Sequence, residues 1–222
     1  MAGGDVATAT EGVPTAGEKI QNYMTDNSPK PKATDNPTWQ DTARWLSTCQ
    51  IALLLIASLW GWFRHISWQL LLLPSSQADW FYILGTLALG IVNSLAANAM
   101  LNWFIKRGNS SAIWVREELL RPMFKEMPLA ASLWISLLSG ICEEFSFRLV
   151  LTAETGPIIS SILFGILHGG HRHLRWYIVW ATAMGAIFCL LVHLSGSLWP
   201  AVTMHFASNF TSFILLRRDR QL

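Results

Sequence analysis

Charge is what this 222-residue chain has least of, with Asp, Glu, Lys and Arg making up only 14% of it, against about 25% in an ordinary soluble domain. Hydrophobic residues make up 52%, a balance that suits a small polytopic membrane protein better than a soluble domain. The net charge is +2, and no basic patch is interleaved with aromatic residues, so no nucleic-acid partner is expected. Cysteine is scarce too: Cys49, Cys142 and Cys189 sit singly inside apolar runs. An odd number without Cys-x-x-Cys spacing indicates neither a disulfide framework nor a thiolate zinc site. The Gly-x-Ser-x-Gly elbow, His-Glu-x-x-His and the phosphate loop are also missing. No internal repeat is visible and few polar residues interrupt the apolar runs, which disfavours a transporter or channel.

What is present is a series of long apolar segments behind a polar leader. Residues 1–40 are rich in Thr, Ala, Gly, Pro, Asn and Asp without apolar periodicity and read as a disordered tail. They lack the apolar stretch of a signal peptide. Membrane segments are expected near 45–63, 80–105, 129–153, 156–171, 175–194 and 198–216, several of them edged by Trp. The run at 66–73 is too short to span alone and reads as an interfacial piece or an extension of the first helix. Residues 112–127 place Ile113, Leu120, Met123, Phe124 and Met127 on one side, which fits a helix lying in the interface, with Pro122 shortening or kinking it. The expected architecture is therefore all-α: a bundle of about six membrane helices plus an interfacial amphipathic helix. In domain terms, 41–128 forms the N-terminal membrane part, 129–216 the core and 217–222 a short basic tail. In this scheme fourteen Lys/Arg fall on one side of the membrane and one, Arg64, on the other. Both termini are then expected on the cytoplasmic or stromal side, in an inner, plasma or thylakoid membrane.

Against this apolar background the segment Gly140-Ile-Cys-Glu143-Glu144-Phe-Ser-Phe-Arg148 stands out. An ionisable group at membrane depth costs about 2.5 kcal/mol or more, so three together point to a functional site between helices. Glu144 and Arg148 are four apart and share a helix face, where they can pair. Glu143 lies about 100° around the helix and faces a different space; there it could serve as a general base. A purely structural ion pair fixing helix packing is the competing reading. His168 ends a run in which Phe164 lies on its own face, and could be a packing residue. His205 and Asn209 repeat the four-residue spacing, as oxyanion donors, metal ligands or interhelical hydrogen-bonding groups. Asn93, Asn98 and Asn102 belong with the interhelical group. His171 and His173 flank Arg172 in a turn that reads as solvated loop rather than as a metal cluster.

The three motifs, Glu143-Glu144-x-x-x-Arg148, Phe164-x-x-x-His168 and His205-x-x-x-Asn209, resemble in their order those of the CPBP family. This family comprises CAAX prenyl endopeptidases and bacteriocin-processing or abortive-infection membrane proteins. Ser197-Leu-Trp-Pro-Ala ahead of the last motif is similar as well. The resemblance covers about 129–210, with Leu149 where many members carry Gly. It implies an intramembrane endopeptidase in which Glu143 and His168 activate water, His205 and Asn209 stabilise the oxyanion, and Glu144 and Arg148 organise the site. It leaves two mechanisms open: a metal-free glutamate mechanism, which is expected here, and a zinc mechanism with Glu143, His168 and His205 as ligands. The expected partners are the lipid bilayer and a membrane protein or peptide substrate. A non-catalytic scaffold or assembly factor that keeps the core and joins a membrane complex is the competing function.

Overall fold

The computed structural model describes residues 38–72, 76–124 and 126–218. Of the tail expected over 1–40, residues 1–37 lie outside the described residues, as do 73–75, Lys125 and the last four residues of the basic tail, while Thr38 and Trp39 already cap and begin a helix. The described chain is helical, with no strand. Helix α1 runs Trp39–Phe63 and α2 runs Gln77–Lys106. A shorter helix, α3, covers 110–124. The core consists of α4 (Leu129–Glu144), a π-helical turn (Phe145–Leu151), α5 (Thr152–Leu167), α6 (Arg175–Ser195) and α7 (Trp199–Arg218).

Both N-terminal helices start where the sequence supplies a reciprocal cap. Asp41 N donates to Thr38 Oγ1 at 3.2 Å, and Thr38 N donates back to the Asp41 carboxylate at 3.2 Å. Ser76 and Asp79 repeat the arrangement at the head of α2. Each cap satisfies amide groups that a helix start leaves open, with the acid at the positive end of the helix dipole.

Among the described residues, four helical stretches are long and apolar enough to cross a membrane: Trp39–Phe63, Asp79–Lys106, Leu129–Leu167 and Arg172–Ser195. Large apolar side chains on α1 and α2, among them Leu55, Ile56, Leu59, Phe81 and Leu84, are exposed on the outside of the bundle. This is an integral membrane protein. The third stretch joins two segments that the sequence reading separates. Gly156 breaks it, at φ 81° and ψ 167°, a backbone conformation open to glycine and closed to other residues. Pro157, which lacks an amide hydrogen, starts the next limb at no hydrogen-bonding cost. That limb ends at Leu167 rather than at 171, because Gly169 and Gly170 follow the His168 cap. The last expected segment, Trp199–Arg218, is helical over 20 residues but less apolar than the other four. Thr203, His205, Ser208, Asn209, Thr211 and Ser212 give it a polar face, and it packs against α2, α4 and α6 inside the bundle.

Helix association in a bilayer rests on close packing and polar contacts rather than on expelling water. Gly185 lies so near Ser161 that an added Cβ would sit 3.1 Å from its Cα, and one at Gly140 would sit 3.2 Å from the Val202 carbonyl oxygen. Asn93 donates to Ser208 Oγ at 2.7 Å, and Ser94 and Ser212 share a hydrogen at 2.7 Å. Asn102 accepts from Arg116 of α3. Asn93 and Asn102 thus tie helices together.

Two shorter pieces take shapes that the sequence leaves open. Residues 66–72 neither extend α1 nor lie apart. Trp68 stacks on Phe145 at 5.5 Å, and a 3-10 turn at Gln69–Leu71 leads to Leu70, whose carbonyl accepts from Leu198 N at 2.9 Å. The segment folds back and props the start of α7. Helix α3 passes through a π-helical turn, Val115–Leu120, just before Pro122. There Arg121 N reaches back to the Arg116 carbonyl, so the proline prolongs an irregular helix instead of ending it.

Candidate active site

The two acids sit at the end of α4, where the helix passes into the π-helical turn. In the turn the Phe147 carbonyl accepts from Thr152 N, five residues on, and two hydroxyls also donate to it: Thr152 Oγ1 and Ser160 Oγ, each at 2.7 Å. Widened turns of this kind often occur at functional sites. Leu149, at the position noted above, is buried in the core.

Glu144 and Arg148 are fully buried and meet at 2.9 Å through Nε and Oε2. The contact is a close ion pair rather than an aligned hydrogen bond, since neither atom has a hydrogen-bond partner by direction. Arg148 is held as much by aromatic faces. Its guanidinium carbon lies 4.5 Å from the Phe164 ring centre, 5.6 Å from that of Phe188 and 5.8 Å from that of Phe147. Ring faces attract a desolvated cation, which explains how a guanidinium whose Nη1 and Nη2 lack hydrogen-bond partners persists there. The other oxygen of Glu144 contacts His205 Nδ1 at 2.7 Å. Phe188 stacks on that imidazole at 5.2 Å with a 9° interplanar angle.

Glu143 faces the other way. Its Oε1 accepts from Ser139 Oγ at 2.9 Å and from Gln50 Nε2 at 2.5 Å. Its Oε2 is buried without a hydrogen-bond partner. That oxygen looks towards His168 Nε2 at 3.5 Å and His205 Nε2 at 3.9 Å. Both imidazoles use their Nδ1 elsewhere: His168 donates to the Phe164 carbonyl at 2.7 Å, and His205 to Glu144. A carbonyl and a carboxylate can only accept, so each Nδ1 carries a hydrogen, and in its neutral form each ring turns an Nε2 lone pair inward. One carboxylate oxygen and two ring nitrogens therefore converge on a common space. At 3.5 and 3.9 Å neither contact is a short, aligned hydrogen bond.

Asn209 joins indirectly: its Nδ2 donates to Ser139 Oγ at 3.2 Å, and Ser139 donates to Glu143. The structure thus brings Glu143, Glu144, Arg148, His168, His205 and Asn209 into one connected cluster. Two further members, Ser139 and Gln50, were not singled out from the sequence. Ser139 follows Ser132 and Ser136 at helical spacing on one face of α4, a signal that could have found it, whereas Gln50 closes a short polar stretch with Ser47 and Thr48 and carries none. His168 has the most exposed side chain of the acid–imidazole group, at 26% against 10% for Glu143 and 7% for His205. The mouth of the site therefore lies where α5 gives way to Gly169 and Gly170. His171 and His173 stay apart from the cluster: they stack with Trp114 at 4.2 and 5.3 Å. Among the described residues, no group of three His, Cys, Asp or Glu side chains is placed to hold a metal ion.

Fold and site together define an integral membrane protein with a carboxylate–imidazole cluster buried between its helices. Residues 125–211 match the family model described as Rce1-like, type II CAAX prenyl endopeptidase. Over that segment the chain is similar to the type II CAAX prenyl endopeptidases, the family that the three motifs also resemble. One curated relative is an uncharacterized protein, YpbD, of Bacillus subtilis (strain 168). It is 26% identical over 121 residues, which cover 54% of this chain and 60% of that protein. The match thus takes in less than two thirds of that relative's length. No solved structure matches.

Proposed function

We propose that this protein is an intramembrane endopeptidase that hydrolyses a peptide bond of a membrane-associated substrate with water activated at Glu143. The observation that carries the reading is the unpartnered Oε2 of Glu143 facing two inward ring nitrogens beside the mouth at His168. A water in that space gives one hydrogen to Glu143 and the other to His168 Nε2. Its oxygen bonds to the carbonyl carbon as a proton passes to Glu143. The resulting oxyanion is met by the remaining Nδ2 hydrogen of Asn209 and by His205 Nε2, which donates once it has taken up a second proton from solvent as substrate binds, with the Glu144 carboxylate balancing the charge. The C–N bond then breaks as the proton on Glu143 moves to the leaving amine. Glu144 and Arg148 act through His205, whose tautomer they fix.

The family's description suggests substrates ending in a prenylated CAAX sequence, so a farnesylated CAAX peptide in micelles is the first probe. The scaffold reading is not favoured: packing alone gives no reason for a buried carboxylate oxygen left without a partner between two imidazoles.

The mechanism proposed is metal-free, and a zinc site at Glu143, His168 and His205 is its alternative. Chelation is accordingly expected to leave cleavage unchanged, with elemental analysis giving well under one zinc per chain. Chelator-sensitive cleavage that added zinc restores, with about one zinc per chain, would replace this mechanism with a zinc one.

Orientation follows from charge. With fourteen Lys/Arg on one side and one on the other, both termini are proposed to face the cytoplasm or stroma. Reporters fused after residue 40 and after residue 222 should then give the same side. Opposite sides would mean an odd number of crossings.

A further inference from the structure

The family match begins at residue 125, yet one group that touches the proposed base comes from α1, far outside it. Gln50 Nε2 donates to Glu143 Oε1 at 2.5 Å across 93 residues of sequence. The carbonyl oxygen of the same amide is buried with no hydrogen-bond partner. A polar side chain kept for stability alone should not leave an acceptor unpaired, because that costs more than an apolar residue of the same shape. The amide therefore sits at a net cost and still makes its one short contact with the base.

We propose that Gln50 is a positioning residue for Glu143. With Ser139 it occupies Oε1 from two directions, which fixes the plane of the carboxyl group and leaves Oε2 alone to meet water. A carboxylate free to rotate about its last torsion would bring either oxygen, or neither, to the space between the imidazoles. This role rests on the proposed function of Glu143. It also assigns α1 a part in the chemistry beyond covering the core.

The test uses Gln50→Met, which keeps the volume and removes the donor, in purified full-length protein. Cleavage of the farnesylated CAAX peptide and of peptides in reconstituted membranes is followed beside the melting temperature. The expected result is a kcat lowered about 10- to 100-fold with KM within about threefold of wild type. The melting temperature is expected to be unchanged or higher, because the orphaned carbonyl is gone. Gln50→Asn, one methylene shorter, is expected to lose kcat in part. Combining Gln50→Met with Glu143→Gln is expected to cost nothing beyond Glu143→Gln alone, since a positioning residue has no effect once its client is gone. Wild-type kcat in Gln50→Met, or a loss of kcat matched by a fall in melting temperature, overturns the role of Gln50 while leaving Glu143 in place. If Glu143→Gln itself cleaves normally, the functional reading fails and this proposal fails with it.

Discussion

Arg148→Ala is expected to lose about 3–5 kcal/mol of folding stability, the cost of leaving one partner of a buried ion pair alone. The reason is specific to this site. Glu144 is fully buried, and among the described residues its side-chain partners are Arg148 on one oxygen and His205 on the other. Truncation leaves a carboxylate at membrane depth and opens a space among Phe147, Phe164 and Phe188, each of which faces the guanidinium. Thermal unfolding in detergent should show the loss, and the yield of folded protein should fall with it. A paired replacement separates charge from shape. Glu144→Gln with Arg148→Met removes both charges and keeps both volumes, and the Gln carbonyl can still accept from His205 Nδ1. That double variant should regain most of the stability. A double variant as unstable as Arg148→Ala would show that the pair itself, not the orphaned charge, holds the helices.

Glu143→Gln is expected to act in the opposite way, lowering kcat by about 10²–10⁴-fold, the range for loss of a general base, while the fold is kept. Gln at 143 can still accept from Ser139 and Gln50 through its carbonyl. Its amide hydrogens can point at the two ring nitrogens, which are acceptors. What it cannot do is take a proton from water. Melting temperature and size-exclusion profile should match wild type, and the loss should appear in kcat rather than KM.

These two variants also mark how far the sequence could be read. Spacing along one helix is local information. Residues four apart share a face, so the Glu144–Arg148 pair and the divergence of Glu143 were legible before any packing was known. The helical, membrane-embedded architecture was legible too, because length and hydropathy act segment by segment. The irregular pieces were not. Gly156 and Pro157 are visible in the sequence, but the break sits inside a stretch apolar enough to read as two spans with a loop. The return of residues 66–72 depends on a carbonyl accepting from Leu198 more than a hundred positions away, which no periodicity announces. In the site, the sequence placed His205 beside Asn209 on one face. Their partners, Glu144 for one and Ser139 for the other, were set by helix packing. Gln50 was the hardest to see: it sits with Ser47 and Thr48 at the edge of an apolar run, and only the facing carboxylate sets it apart.

If the cluster hydrolyses peptide bonds in the membrane through Glu143, membranes carrying wild-type protein should differ in their peptide termini from membranes carrying equal amounts of Glu143→Gln protein. A set of new termini is expected with wild type and is expected to be absent with Glu143→Gln. The same termini in equal abundance in both membranes would contradict hydrolysis through Glu143.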